Sequence, residues 1–108
     1  MMYEINEFVL DNGKSPFAEW LKSVDKMDRM RVLQRVDRLA HGNFGDYKSV
    51  GDNVYELRFR YGGGYRVYYA FEDDKIVILL CGGNKGSQDR DIEQAKNYWR
   101  MHNERQNS

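Results

Sequence analysis

The sequence predicts an α+β domain, and three observations predict it. Residues 54–71 (VYELRFRYGGGYRVYYAF) alternate with a period of two on either side of a glycine turn, the pattern of two antiparallel strands. Ile76 to Cys81 (IVILLC) is a continuous apolar run, which suits a central strand covered on both faces. Before and after these strands, apolar residues recur at helical spacing.

In chain order, Tyr3 to Leu10 reads as a first strand, ended by the turn signal Asp11-Asn12-Gly13. Ser15-Pro16 is an N-cap followed by proline in the first helical turn. Phe17, Trp20, Leu21 and Val24 then give one apolar face of a short helix. A second helix is expected from about Lys26 to His41, burying Val32, Leu33, Val36, Leu39 and Ala40, with Gly42 at its C-cap. Arg31, Arg35 and Arg38 line another face, a candidate to bind RNA or an acidic partner but read by default as solvated. Residues 43–53 read as a turn-rich connection.

In the strand pair, Tyr55, Leu57, Phe59 and Tyr61 share one side, and Glu56, Arg58 and Arg60 the other. After Gly62-Gly63-Gly64, Tyr65, Val67, Tyr69 and Phe71 alternate with Arg66, Tyr68 and Ala70. Pairing Tyr61 with Tyr65 sets Arg60 opposite Arg66 and Arg58 opposite Tyr68. Like charges across a ladder are unfavourable, and an anion between them reverses that sign. The face therefore suits phosphate or carboxylate. EDDK makes the next turn, and GGNKG closes the apolar strand. Ser87 offers an N-cap, with Asp89 and Asp91 in the first turn of a helix that carries Ile92, Ala95, Trp99 and His102 on one face and frays into ERQNS. The order is strand, two helices, three antiparallel strands and a terminal helix, one domain over residues 1–108.

Composition narrows the function classes. The 41% hydrophobic and 14% aromatic fractions indicate a folded chain. No apolar run approaches the ~20 residues needed to span a bilayer, and the N-terminus lacks a signal-peptide pattern. Cys81 is the only cysteine and reads as a buried thiol, so a cytoplasmic protein without a disulfide framework or membrane attachment is expected. Net charge is zero, from 17 basic and 17 acidic residues, which argues against strong nonspecific nucleic-acid binding. The charge is uneven, however. Arg58, Arg60 and Arg66 come with no acid between them, which describes a local basic site on a neutral protein.

Metal chemistry has no support, since His41, His102 and Cys81 show no ligand spacing, and no cofactor motif is present. Gly62-Gly63-Gly64 joins strand to strand, so it reads as a hairpin turn rather than a phosphate cradle. CGGNKG precedes a helix, so its backbone could approach a ligand, with Lys85 supplying charge. The constellation that carries chemistry is Arg58, Arg60, Arg66 and Lys85. Arginine holds phosphate in a bidentate fork, lysine adds a point charge, and together they stabilise the charge of phosphoryl transfer without a metal. The structural alternative is that these cations pair with Glu56, Glu72 or the Asp89/Asp91 turn.

Three segments, SPFAEWL, RLAHGNFGDYKSVGDNVYELRFRYGGGYRVYYAF and ILLCGGNKGSQDRDIEQAKNYW, resemble the RelE/ParE superfamily of small bacterial toxins, in its HigB-like or addiction module killer branch. The resemblance implies a compact antiparallel sheet with two N-terminal helices and a C-terminal helix. It implies the toxin of a type II toxin–antitoxin pair. Nuclease members cut messenger RNA, many of them on the ribosome, by attack of the ribose 2′-hydroxyl on the adjacent phosphate. The implied partners are a cognate antitoxin, a small helix-turn-helix protein, and operator DNA reached only through the toxin–antitoxin complex.

Carried over by position, Arg58 matches the basic residue on the strand before the turn and Arg66 the arginine of the Gly-Tyr-Arg motif. Lys85 falls near the basic residue after the last strand. Arg66 is then expected to bind the scissile phosphate, Arg58 and Lys85 to stabilise charge on the attacking and leaving oxygens, and Arg60 to add substrate binding. Tyr68 is the candidate to donate or accept a proton. Two departures bear on the target: Glu56 stands where well-studied ribosome-dependent nucleases carry a second basic residue, and their C-terminal tyrosine or histidine has no match here. Inhibition of DNA gyrase in the manner of ParE, or antitoxin binding without catalysis, are the alternative readings.

Overall fold

The computed structural model describes residues 2–107. Its elements run β1 (Glu4–Glu7), α1 (Pro16–Ser23), α2 (Lys26–Ala40), β2 (Tyr47–Gly51), β3 (Val54–Arg58), β4 (Arg66–Glu72), β5 (Ile76–Gly83), a 3-10 turn (Lys85–Ser87) and α3 (Gln88–Gln106). The strands form one sheet in the order β1-β5-β4-β3-β2. All neighbours are antiparallel except β1, which runs parallel to β5, so the sheet is mixed.

α1 and α2 begin where their caps require, whereas Ser87 precedes α3 without a side-chain capping hydrogen bond. Ser15 Oγ accepts from the amide of Ala18, and Asp25 accepts from that of Met27. At the far end of α2, Gly42 takes φ +84°, the left-handed conformation that glycine adopts without steric cost. Leu33, expected inside, stays exposed, because the buried stripe of α2 follows Val32, Val36, Leu39 and Ala40. Arg31 and Arg38 stay exposed as expected, whereas Arg35 is half-buried, and both Arg31 and Arg35 make ring contacts. They lie over the rings of Tyr61 and Phe59 at 4.8 and 4.7 Å. α3 keeps its helical form through Gln106, so most of the tail expected to fray is ordered.

The sheet is covered on both faces. On one side Phe17, Val32, Val36 and Leu39 pack against Leu57, Val67, Tyr69, Val77 and Leu79. On the other, Ala95 and Trp99 of α3 pack against Val54, Tyr68, Ala70, Ile78 and Leu80. β5 is buried on both sides, as its unbroken apolar run requires. Within residues 43–53 lies a strand that the sequence reading missed. β2 is an edge strand of mostly exposed residues, joined to β3 by Asp52 and Asn53, both at positive φ. Asp73 and Asp74 repeat that pair of positive φ angles in the three-residue turn between β4 and β5.

The register of the central hairpin differs by two residues from expectation. Arg58 pairs with Arg66 and Glu56 with Tyr68, and the amide of Phe59 closes the ladder onto the carbonyl of Tyr65. A shift of two preserves which face each side chain occupies. The cause is the loop. Gly62, Gly63 and Gly64 all take positive φ (61°, 69° and 80°), and the amides of Gly64 and Tyr65 both return to the carbonyl of Tyr61. A β-carbon on Gly62 would stand 1.9 Å from the ring of Tyr65, so both space and conformation demand glycine there.

Candidate functional site

The arginine pair is the centre of the site. Arg58 and Arg66 sit directly opposite each other, yet each is turned to its own carboxylate. Arg58 Nη2 donates to Asp46 Oδ1 at 3.0 Å. Arg66 Nη1 donates to the carbonyl of Gly64 at 2.6 Å, and its Nε lies 3.4 Å from Glu56 Oε2, close enough for an ion pair but not aligned as a hydrogen bond. The protein itself thus relieves the repulsion across the ladder.

Glu56 is the hub beneath Arg66. It is fully buried, and its Oε2 accepts from the Tyr68 hydroxyl at 3.0 Å and from Gln88 Nε2 at 2.9 Å. Its Oε1 has no partner among the described residues. Of the structural alternatives weighed from sequence, the Glu56 pairing is therefore present. Glu72 instead takes His102 Nε2 at 3.0 Å, and Asp91 accepts from Ser87 Oγ.

Tyr68 requires a correction. Expected to exchange a proton at the basic face, it is wholly buried under α3, with its hydroxyl committed to Glu56. Desolvation, reinforced by the Glu56 carboxylate, pushes its ionisation far above the ordinary tyrosine value. Its hydroxyl therefore holds Glu56 in place and is not presented at the surface. Arg60 also departs from expectation. It lies beyond the end of β3 on the exposed loop and has no partner among the described residues, so it is not across the ladder from Arg66.

Lys85 is exposed and joins the site through backbone. Its amide donates to the carbonyl of Gly63 at 3.3 Å, which ties the 3-10 turn to the glycine loop. A β-carbon on Gly64 would meet Arg66 Nη1 at 2.9 Å and Lys85 Cβ at 3.4 Å, so both cationic side chains border that glycine. Beside Lys85 a cavity of about 380 Å³ at the start of α3 is lined by residues 85–90 and includes the exposed Arg90. Arg90 was passed over in the sequence; its place three residues beyond the predicted cap, near Lys85, was the available signal.

The glycines of CGGNKG serve packing rather than ligand approach. A β-carbon on Gly82 would strike Trp20 at 2.2 Å, and one on Gly83 would strike Asp91 Oδ2 at 1.8 Å. The amides of Gly86 and Ser87 both donate to Asn84 Oδ1, so neither is free to cradle phosphate. Cys81 is buried and its thiol is pushed up to about 12 by desolvation, consistent with an inert core residue. Among the described residues there is no group of three or more His, Cys, Asp or Glu placed to hold a metal, and no helix is long and apolar enough to cross a membrane.

A mixed five-stranded sheet between a helical pair and a terminal helix is the RelE fold. The free-state structure of a double-arginine mutant of E. coli toxin RelE superposes with a TM-score of 0.66 at 15% identity, covering 89% of this chain and 95% of that one. The RelE-RelB complex from the archaeon Pyrococcus horikoshii gives 0.55 at 22% identity, covering 80% and 98%. At this identity the likeness is one of fold.

Sequence comparison adds the family. Residues 19–100 match the family described as phage derived protein Gp49-like (DUF891), and the chain belongs to it. An uncharacterised protein of Haemophilus influenzae is 48% identical over 81 residues, which is 74% of this chain and 82% of that protein.

Proposed function

We propose that residues 1–108 act as one toxin domain of a type II toxin–antitoxin module, an endoribonuclease that arrests translation by cutting translated messenger RNA. The ribose 2′-hydroxyl attacks the adjacent phosphate, leaving a cyclic phosphate and a 5′-hydroxyl end. The observation that carries the reading is Arg66, only 12% exposed in its side chain and held by the Gly64 carbonyl beside Lys85. A guanidinium fixed in advance stabilises developing charge without reorganising at the moment of reaction. Arg66 binds the scissile phosphate in this reading, Arg58 and Lys85 face the attacking and leaving oxygens, and Arg60 holds flanking RNA.

The RelE fold and the structural relative solved as a RelE-RelB complex support a cognate antitoxin as partner, here proposed to be a small helix-turn-helix protein that carries the pair to operator DNA. Inducible expression followed by primer extension tests the activity. Wild type is expected to stop growth and give discrete RNA ends. Arg66→Ala should lose cleavage by about 10²–10³-fold, the usual cost of removing one such donor. Undiminished arrest and cleavage in Arg66→Ala would refute the assignment.

One observation favours a second reading. Buried Glu56 already offsets the charge of Arg66, which suits a protein that binds its target without catalysis, such as an inhibitor of DNA gyrase. Growth arrest with gyrase-linked DNA breaks and no new RNA ends would select it.

A further inference from the structure

The sheet face opposite Arg66 carries an aromatic cluster that the nuclease reading leaves unused. Tyr55, Tyr69 and Phe71 project from β3 and β4 on the side of α1 and α2. Phe44 and Tyr47 reach them from the start of β2, and Tyr3 from just before β1. The rings stand in mutual contact, with Tyr3 and Phe71 centred 5.3 Å apart, Phe44 and Tyr47 5.5 Å, and Tyr55 and Tyr69 5.7 Å. Between them lies a cavity of about 290 Å³, whose one charged lining residue is Asp74.

Two features ask for an occupant. Tyr69 lines the cavity, and its hydroxyl makes no hydrogen bond among the described residues, so its oxygen is free to accept one from an occupant. Asp74 is exposed and makes no ion pair among the described residues, and no lysine or arginine lines the cavity. Ring faces carry partial negative charge, and a carboxylate adds a full one, so the cavity favours a cation and disfavours phosphate. Its volume admits one long side chain.

We propose that this cavity receives the guanidinium of an arginine presented by a protein partner. The planar group lies on a ring face at the mouth of the cavity while its N–H groups reach the Asp74 carboxylate and the Tyr69 oxygen. Burial keeps the Tyr69 hydroxyl protonated far above the ordinary tyrosine value, so its oxygen remains a neutral acceptor. Among the described residues the same pairing recurs internally, with Arg31 over Tyr61, Arg35 over Phe59 and Arg105 over Phe8 at 4.7–5.0 Å. The site lies on the opposite sheet face from Arg66 and stands whether or not the protein cuts RNA.

The test is an NMR titration of the full chain with N-acetyl-arginine amide, its neutral isostere N-acetyl-citrulline amide, and adenosine. The arginine probe should give saturable shifts at residues 44–47, 55 and 69–74, and the other two should not. Asp74→Asn and Tyr47→Ala alter exposed positions, so both should stay folded and weaken binding about 5- to 10-fold, the scale of a partly desolvated cation–π contact. Equal binding of the citrulline probe, tighter binding of adenosine, or no saturable shift up to the solubility limit would each overturn the proposal.

Discussion

Removing the charge of Glu56 while keeping its shape is the sharpest probe of how the arginine site is built. In Glu56→Gln the amide can still accept from the Tyr68 hydroxyl, but Arg66 loses its counter-charge. At 3.4 Å the two charges attract by about 5 kcal/mol for an effective dielectric near 20. Desolvation offsets part of that in the intact pair, whereas removal of one partner strands the other, which typically costs about 3–5 kcal/mol. Glutamine retains some hydrogen bonding, so a loss of about 3 kcal/mol is expected, or roughly 12–24 °C in melting temperature for a domain of this size. Urea unfolding followed by tryptophan fluorescence and by circular dichroism measures it and checks that the transition is two-state. The double variant Glu56→Gln/Arg66→Gln leaves no stranded charge. It should therefore be less destabilised than the sum of the singles by more than about 1 kcal/mol. Stability of Glu56→Gln within about 0.5 kcal/mol of wild type, or strict additivity, would refute the reasoning.

Further expectations follow from the loop and the buried titratable groups. Gly62→Ala should cost distinctly more than Gly63→Ala. Both positions carry the left-handed penalty of about 1–2 kcal/mol, but only Gly62 also drives a methyl into the Tyr65 ring, while Gly63 opens onto free space. Chemical denaturation of the two variants side by side checks the order. Stability should also fall as pH rises through the window from 9.0 to about 12, because unfolded Cys81 releases its proton there before the folded thiol does. In that window the native state binds more protons, so the slope is negative, up to about 1.4 kcal/mol per pH unit from this group. Tyr68 and Tyr69 add slopes of the same sign above 10.0, and absorbance at 295 nm should show both failing to ionise until the chain unfolds. The native thiol should resist alkylation at pH 8 and react fully in denaturant, as a mass-spectrometric time course would show.

Much of this architecture was legible in the sequence because its signals were local. Ser15-Pro16 and the spacing of Phe17, Trp20 and Leu21 specify α1 within eight residues, and IVILLC can only be a strand buried on both sides. β2 escaped because an edge strand of exposed residues has no apolar alternation to reveal it; the ladder to β3 makes it a strand. The hairpin register escaped because three left-handed glycines make a longer loop than a tight turn, and sequence does not show how many residues a glycine run consumes. Alternation put Arg58, Arg66 and Tyr68 on one face correctly. It could not show that α3 lies over Tyr68 and Glu56, a contact that spans more than thirty residues through Gln88. The aromatic cavity was invisible for the same reason, being assembled from positions scattered between Tyr3 and Asp74.

The parallel pairing of β1 with β5 has a consequence for biogenesis. Glu4 finds its partner only at Ile76, so β1 waits for every element up to β5 before it can join a ladder. Until β5 emerges from the ribosome, the inward faces of α1 and α2 have no complete sheet to cover them, and Glu56 has neither Gln88 nor the shelter of α3. Contacts this distant in sequence close late and slow the fold. A chain stopped anywhere before residue 83 would therefore present loose apolar helices rather than a smaller working protein, and proteases would clear it. Whatever this protein acts on is exposed to it only after β5 and α3 have been made.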